Sequence, residues 1–298
     1  MLLLLMIAGL AGCAGVQGKA TPAVNGQTPT SGEVRLIVTQ HFGATVMLDE
    51  VVPWKKGLAG MSLLAEHARV DTEYGGGFVS GIDGVKSTFG GVSSAQAADW
   101  FYWVDGIMAG VGAADYRLHG GETVWWDFHQ WAHAMSIPAT LSAFPAPWKG
   151  HALEVATSRD WPGLQQWAQA SGLTLSATKT LTAGAPSGGL VVATPQEVTA
   201  TKWLGELLDG GDGVRLVRLG SEGISLLSPT GARGPSADAV ALALPDENNG
   251  HRPSLVVLAD STSAAQRLFA LLTPGALAAR VGVALVDGRL VALPWHAQ

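Results

Sequence analysis

The sequence predicts an α+β protein in which a small, mainly antiparallel sheet with one helix precedes a mixed α/β domain built from a duplicated unit. In the first half, short strand patterns are separated by tight-turn dipeptides. In the second half, strands alternate with helical patterns, and a strand–helix–hairpin pattern recurs sixty-five residues further along the chain.

Composition excludes one large class of partners. The 298 residues carry a formal net charge of −6, and no basic stripe is present that could neutralise phosphates. We therefore expect no nucleic acid partner. The single cysteine cannot form an internal disulfide, so only the N-terminal segment bears on the cellular compartment.

The N-terminal segment, residues 1–13, is apolar and ends in Leu10-Ala11-Gly12-Cys13. It is too short to span a bilayer as a helix, but it has the length of the apolar region of a secretory signal. It resembles a bacterial lipoprotein signal, which implies lipidation at Cys13 and cleavage just before it. We therefore expect an exported protein, anchored through Cys13 at the outer face of the cytoplasmic membrane or on the cell surface. A short signal without lipidation is the alternative.

Residues 14–33 are rich in Gly, Pro, Thr and Gln and lack an apolar period. A segment of this composition buries too little apolar surface to fold. We predict a flexible tether here.

The first domain is predicted to span residues 34–147. Val34–Thr39 and Thr45–Leu48 read as the two arms of a hairpin, and Met61–Arg69 reads as a helix with Ser62 as its N-cap. Strands on either side of a glycine triplet are predicted within residues 70–82.

A segment dense in aromatic residues follows, and it holds five of the eleven tryptophans between Trp100 and Trp131. Two strands are predicted, with turns at Asp105-Gly106 and Gly120-Gly121. Because side chains alternate along a strand, aromatic rings fall on both faces of this sheet. A sheet needs only one face for its own core, so the second domain, a ligand or a partner must cover the other.

Three stretches together carry a family resemblance: Trp100-x-Tyr102-x-Val104-Asp105-Gly106, Val111-Gly112-Ala113-Ala114-Asp115-Tyr116 and His119-Gly120-Gly121-Glu122-x-Val124-Trp125. They resemble the closing half of the transcobalamin-like C-terminal domain, and residues 77–84 resemble its middle element. The resemblance covers roughly residues 34–131 and implies a β-grasp-like sheet that binds ligands. In animal members, this domain closes over a corrinoid held against a separate helical barrel. This chain contains no such barrel. The resemblance therefore implies the fold and a ligand-binding role, with cobalamin or another corrinoid as the candidate ligand.

The second domain is predicted to span residues 148–298, after the Pro145-Ala146-Pro147 boundary. A shift of sixty-five residues aligns Leu190–Val192 with Leu255–Val257. Each strand precedes a helix, over residues 196–208 and 261–272, and then a hairpin, over residues 214–227 and 281–292. A partial third copy is predicted in a strand at residues 153–157 and a helix at 161–170.

Asp127 and His129 form the most metal-like pair, with His133 and His119 as further candidate ligands. The alternative is an Asp–His hydrogen bond that fixes the end of a strand, and we assign no metal site. The sequence contains neither a Gly-x-Ser-x-Gly nucleophile motif nor a phosphate-binding or dinucleotide-binding glycine motif, and no cysteine remains for catalysis. We therefore do not expect an enzyme.

The aromatic segment is the best candidate for function. A flat aromatic surface can stack on a corrin, a sugar ring or a peptide aromatic ring. The predicted ligand-binding residues are Tyr102, Trp103, Trp125 and Trp131. The sequence thus predicts a lipid-anchored protein that binds a small ligand and passes it to an uptake transporter. The competing hypothesis is a structural or adhesive surface module in which the tryptophans serve as core.

Overall fold

The computed structural model describes residues 24, 26–88, 97–131, 135–209, 215–246 and 252–296. The predicted signal with Cys13 lies outside the described residues, as do residues 14–23 and 25 of the predicted tether. Both stay predictions.

The first unit contains eight strands and one α-helix in its described part. They are β1 (Glu33–Gln40), β2 (Thr45–Pro53), α1 (Gly60–His67), β3 (Val70–Glu73), β4 (Phe78–Ile82), β5 (Val85–Lys86), β6 (Ala98–Val104), β7 (Ile107–Met108) and β8 (Thr123–Gln130).

The main sheet of this unit has five strands in the order β2-β1-β8-β6-β7. Neighbouring strands are antiparallel except for β1 and β8, which run parallel. A parallel pair requires a crossover connection, and the chain between β1 and β8 supplies it through α1. The α+β class and the mainly antiparallel sheet with one helix are therefore confirmed.

Helix α1 covers one face of the sheet. Its Leu63 and Leu64 are buried in a common core with Trp126. The helix begins at Gly60 after Ala59, so the prediction of Ser62 as N-cap is wrong. The first helical N–H groups donate instead to loop carbonyls before β8, from Gly60 to Tyr116 and from Met61 to Ala113, so no side-chain cap is needed.

The second unit follows with strands and helices interleaved. Its elements are β9 (Ala152–Ala156), α2 (Leu164–Ala170), β10 (Thr174–Lys179), β11 (Leu190–Ala193), α3 (Pro195–Ala200), α4 (Lys202–Asp209), β12 (Val217–Gly220), β13 (Gly223–Leu227), β14 (Arg233–Ala237), β15 (Ala239–Leu244), β16 (Ser254–Ala259), α5 (Thr262–Leu271), α6 (Pro274–Leu277), β17 (Gly282–Val286) and β18 (Arg289–Leu293).

The internal repeat appears in the sheet itself. Seven strands lie in the order β10-β9-β11-β16-β15-β17-β18, and the strands from β10 to β16 are mutually parallel. The two strands that the sixty-five-residue shift superposes, β11 and β16, are direct neighbours, and Leu190 lies opposite Leu255 in the ladder. Strand β9 and helix α2 occupy the predicted third copy, and β9 pairs with the other side of β11.

Four features of the second unit were not expected. Strand β10 was not predicted, and β15 inserts antiparallel between β16 and β17. Hairpin β12–β13 pairs with β14 in a separate sheet, whereas the equivalent hairpin β17–β18 joins the main sheet. The helix predicted over residues 196–208 consists of two helices, α3 and α4, with Thr201 between them.

The two units pack against each other. Ile37 and Phe42 of the first unit share a core with Val240 and Val281 of the second. The Arg280 guanidinium also donates to the Gly43 carbonyl at 3.1 Å.

The segment just before the predicted domain boundary packs with the second unit. Ala139, Leu141 and Phe144 are buried in a core formed mainly by second-unit residues. The first unit therefore ends, in packing terms, before Pro145.

The described part of the predicted tether lies against the protein. The Arg35 guanidinium donates to the Gln27 carbonyl at 2.9 Å, and the backbone N–H of Trp54 donates to the Gly32 carbonyl. Within the described ranges, no helix is long and apolar enough to cross a membrane.

Candidate functional site

The register between β6 and β8 sorts the aromatic side chains onto two faces. Trp103 lies opposite Trp125, and Tyr102 lies opposite Trp126. Directly opposed residues project on the same face of a sheet. One face therefore carries the Trp103 pair and the other carries the Tyr102 pair.

The Trp103 face is covered by the second unit. The rings of Trp103 and Trp125 stack with centroids 4.7 Å apart, and neither side chain is exposed to solvent. Both indole N–H groups are satisfied internally, by the Ile137 carbonyl at 2.7 Å and by the Thr39 hydroxyl at 2.8 Å. Of the three covers that the sequence allows for the surplus face, the structure uses the second domain.

Asp127 holds the end of this face together. Its carboxylate accepts hydrogen bonds from the Thr39 hydroxyl and from the backbone N–H groups of Phe42 at 2.9 Å and Gly43 at 3.0 Å. His129 Nδ1 lies 3.0 Å from the second carboxylate oxygen. The Asp–His hydrogen bond proposed as the alternative to a metal site is thus present.

Both faces and both nitrogen atoms of the His129 ring have contacts within the protein. It stacks between Phe42, at 4.4 Å between centroids, and Phe101, at 4.3 Å. Its Nε2 atom lies 3.3 Å from the Met135 carbonyl oxygen, so that nitrogen also has a partner.

The other candidate metal ligands do not join this pair. His133 lies outside the described residues. His119 precedes β8 at the opposite end of the strand, is largely exposed, and places Nδ1 3.2 Å from a Glu122 carboxylate oxygen. Within the described part of the chain, no three His, Cys, Asp or Glu side chains are grouped so that they could hold a metal ion.

Tyr102 lies on the α1 side of the sheet and is half-buried. Its ring stacks on Trp126 at 4.7 Å between centroids, and its hydroxyl donates to the Val111 carbonyl. Burial raises the pKa of Tyr102 to about 12. The hydroxyl therefore stays protonated and can act as a donor across the physiological pH range.

Trp131 continues the Trp103 face beyond the end of β8. Its indole N–H donates to Asp99 Oδ2 at 3.0 Å. Asp99 is buried, and its other carboxylate oxygen has no hydrogen-bond partner among the described residues.

The four predicted ligand-binding residues are therefore not gathered on one surface. Trp103 and Trp125 lie in the core between the units, Tyr102 lies on the opposite face, and Trp131 lies at the strand end. A ligand cannot reach Trp103 or Trp125 unless the units separate.

An exposed apolar surface lies near Tyr102 and was missed in the sequence. Tyr74 is 72% exposed and Val111 is 53% exposed. Their loops are adjacent, because a Cβ placed at Gly112 would lie 3.6 Å from the Gly77 carbonyl oxygen. We call Tyr74, Val111 and Tyr102 the loop patch. Its signal in the sequence is an apolar residue within each of two glycine-rich stretches, a pattern also typical of ordinary turns.

Part of the first unit is similar to one protein family. Residues 57–130 match the model of a domain of unknown function, DUF4430. A solved structure of a candidate metal-binding protein from Ruminococcus gnavus ATCC 29149 is 11% identical, covers 33% of this chain and 96% of its own, and has a TM-score of 0.24. No curated protein matches the chain. The family match thus extends from just before α1 to the end of β8 and includes both aromatic strands.

Proposed function

We propose that this chain is a lipid-anchored, extracytoplasmic binding protein that captures a small ligand and delivers it to a membrane uptake transporter. It is not proposed to be an enzyme or to bind nucleic acid. The observation that carries the binding role is the loop patch, where two large apolar side chains are exposed beside a half-buried tyrosine. Exposed apolar patches of this kind are typical of interaction sites.

A corrinoid is the ligand we propose. The support is the resemblance of residues 100–125 to the transcobalamin-like C-terminal domain, together with the DUF4430 match over residues 57–130. A planar macrocycle with apolar edges suits a surface made of Tyr74, Val111 and Tyr102. The Trp103 and Trp125 rings do not contribute to this surface, because the second unit covers them.

Equilibrium dialysis of the Cys13→Ser protein against cobalamin and cobinamide tests the ligand. We expect saturable binding at micromolar concentration, and we expect Tyr74→Ala and Val111→Ser to weaken it about tenfold or more. Leu271→Ser is the matched control, because Leu271 is an exposed apolar residue of the second unit. Absence of binding, or an equal loss in the Leu271 variant, would refute the corrinoid proposal.

Metabolic labelling with palmitate tests the anchor. The chain has one cysteine, so Cys13→Ser should abolish labelling and release the protein from the membrane fraction. The neighbouring substitution Ala14→Ser should leave both unchanged. A Cys13→Ser protein that stayed in the membrane would contradict lipid anchoring.

The second candidate function is a structural or adhesive surface module. It is favoured by the complete burial of the Trp103 and Trp125 rings between the units, which gives these residues a structural role. The adhesive function would replace the ligand-binding function under two results together. No corrinoid would bind, and the Tyr74→Ala and Val111→Ser variants would lose attachment to a surface.

A further inference from the structure

The second unit contains a cavity that belongs to neither aromatic face. It has a volume of about 560 Å³ and lies between helices α3 and α4 and the sheet of β12 and β13. This volume falls within the range of small-molecule sites. Five apolar side chains line it: Val198, Leu208, Val217, Leu219 and Leu227.

The charged side chains among the described residues that line this cavity are all positive. Lys202, Arg215 and Arg218 contribute to its wall, and no acidic residue is among the described residues that line it. This is notable in a chain whose net charge is −6. The Arg218 guanidinium forms no ion pair with a described residue, and the Lys202 ammonium lies 3.6 Å from the carboxylate of Glu206 in an open, exposed pair.

We propose that this cavity binds a small anionic amphiphile, with its charged head at Lys202 and Arg218 and its apolar chain along the leucine and valine side chains. Guanidinium and ammonium groups favour a carboxylate, sulfate or phosphate head. The apolar lining offers the tail a surface that water solvates poorly. This site is independent of the loop patch, so it does not rest on the function proposed above.

Calorimetric titration of the Cys13→Ser protein with three probes tests this proposal. Decanoate carries both the anionic head and the apolar chain, decyltrimethylammonium has the same chain length and the opposite charge, and acetate has the head without the chain. We expect saturable one-to-one binding of decanoate at submillimolar concentration and no saturable binding of the other two. Equal binding of the two long-chain probes would overturn the proposal, because it would show association without charge selection.

A double variant, Lys202→Gln with Arg218→Gln, tests the position of the head. Both side chains are exposed, so the fold should not change. We expect decanoate to bind at least tenfold more weakly. Arg267→Gln removes one exposed positive charge that does not belong to the cavity lining, and this variant should bind decanoate as the wild-type protein does. Wild-type affinity in the double variant would overturn the proposal.

Gly205→Leu tests the position of the chain. Gly205 lies in α4 and lines the cavity, and a Cβ there would have one neighbour within 4 Å, the Val198 carbonyl oxygen at 3.8 Å. Leucine favours a helix more than glycine does, so the variant should not lose stability while its side chain enters the cavity. We expect loss of decanoate binding with an unchanged or raised melting temperature. Retained binding in this variant would place the chain elsewhere and overturn the proposal.

Discussion

His129 Nδ1 lies 3.0 Å from Asp127 Oδ2, and neither side chain is exposed to solvent. Asp127 also accepts the backbone N–H groups of Phe42 and Gly43, which form the turn between β1 and β2. One buried carboxylate therefore joins the end of β8 to the β1–β2 turn and, through Gly43, to the second unit.

We expect Asp127→Asn to lower the free energy of unfolding by about 3–5 kcal/mol, because it removes the charged partner of several buried donors. Chemical denaturation followed by circular dichroism measures this loss. Asp71→Asn is the control, since Asp71 is partly exposed and 3.9 Å from Lys86, and it should cost less than about 1 kcal/mol. Similar losses in both variants would contradict a joining role for Asp127.

Trp103→Ala should lower the free energy of unfolding by about 3–5 kcal/mol, because it opens a large cavity in the core shared by the two units. Tyr74→Ala should change it by no more than about 0.5 kcal/mol, since Tyr74 is 72% exposed. Thermal and urea denaturation of both variants give the comparison. A Trp103 variant as stable as the Tyr74 variant would mean that the second unit does not cover this face.

Asp105 gives a prediction about pH. Burial raises the pKa of Asp105 to about 7, from an ordinary value of 3.8, and repulsion from Glu122 acts in the same direction. The folded state thus holds a proton that the unfolded state has lost between these two values. The contribution of protonated Asp105 to the free energy of unfolding is complete below pH 3.8 and is lost as the pH rises through 7.

Asp105→Asn should remove this dependence. Asparagine keeps an oxygen that can accept from Thr123 N–H, which donates to Asp105 at 2.8 Å, and it tolerates the positive φ of this turn. We expect the variant to be more stable than wild type by roughly 4 kcal/mol at pH 8 and nearly equal at pH 4, as a pKa raised from 3.8 to about 7 requires. Urea denaturation across this pH range measures the difference, and a constant difference at all pH values would contradict the assignment to Asp105.

Much of the fold could be predicted because its signals are local. Asp105-Gly106 and Asp287-Gly288 form tight turns with positive φ at both residues, as the dipeptides predict. The two strands that the repeat aligns are also neighbours in the sheet, with Leu190 opposite Leu255. The sixty-five-residue shift also aligns β15 with β10, but neither strand was predicted, because the aligned sequence pattern did not extend to them.

The candidate site was less predictable. Alternation along β6 and β8 places Trp103 and Trp125 on one face, but alternation cannot indicate what packs against that face. The answer depends on long-range packing between Trp103 and second-unit residues such as Val240 and Val281. The loop patch was missed for a related reason, since exposure of Tyr74 and Val111 is decided by how two loops meet.

Gly43 lies where the two units are in close contact. It has a φ of 81°, and a Cβ placed there would lie 1.9 Å from the Ala279 carbonyl oxygen in the second unit. Gly57 has nearly the same φ, 85°, with no atom within 4 Å of an added Cβ. Gly43→Ala and Gly57→Ala therefore carry a similar backbone penalty of about 1–2 kcal/mol, and only the first also pushes the units apart.

We expect Gly43→Ala to lose at least about 2 kcal/mol more than Gly57→Ala, because a contact this short forces the backbone to move. Because Phe42 stacks on His129 beside this glycine, the same shift should expose the Trp103 face. Acrylamide quenching should then rise in the Gly43 variant and stay unchanged in the Gly57 variant. Equal stability and equal quenching in the two variants would show that the units do not meet at Gly43, and the burial of Trp103 would need another cause.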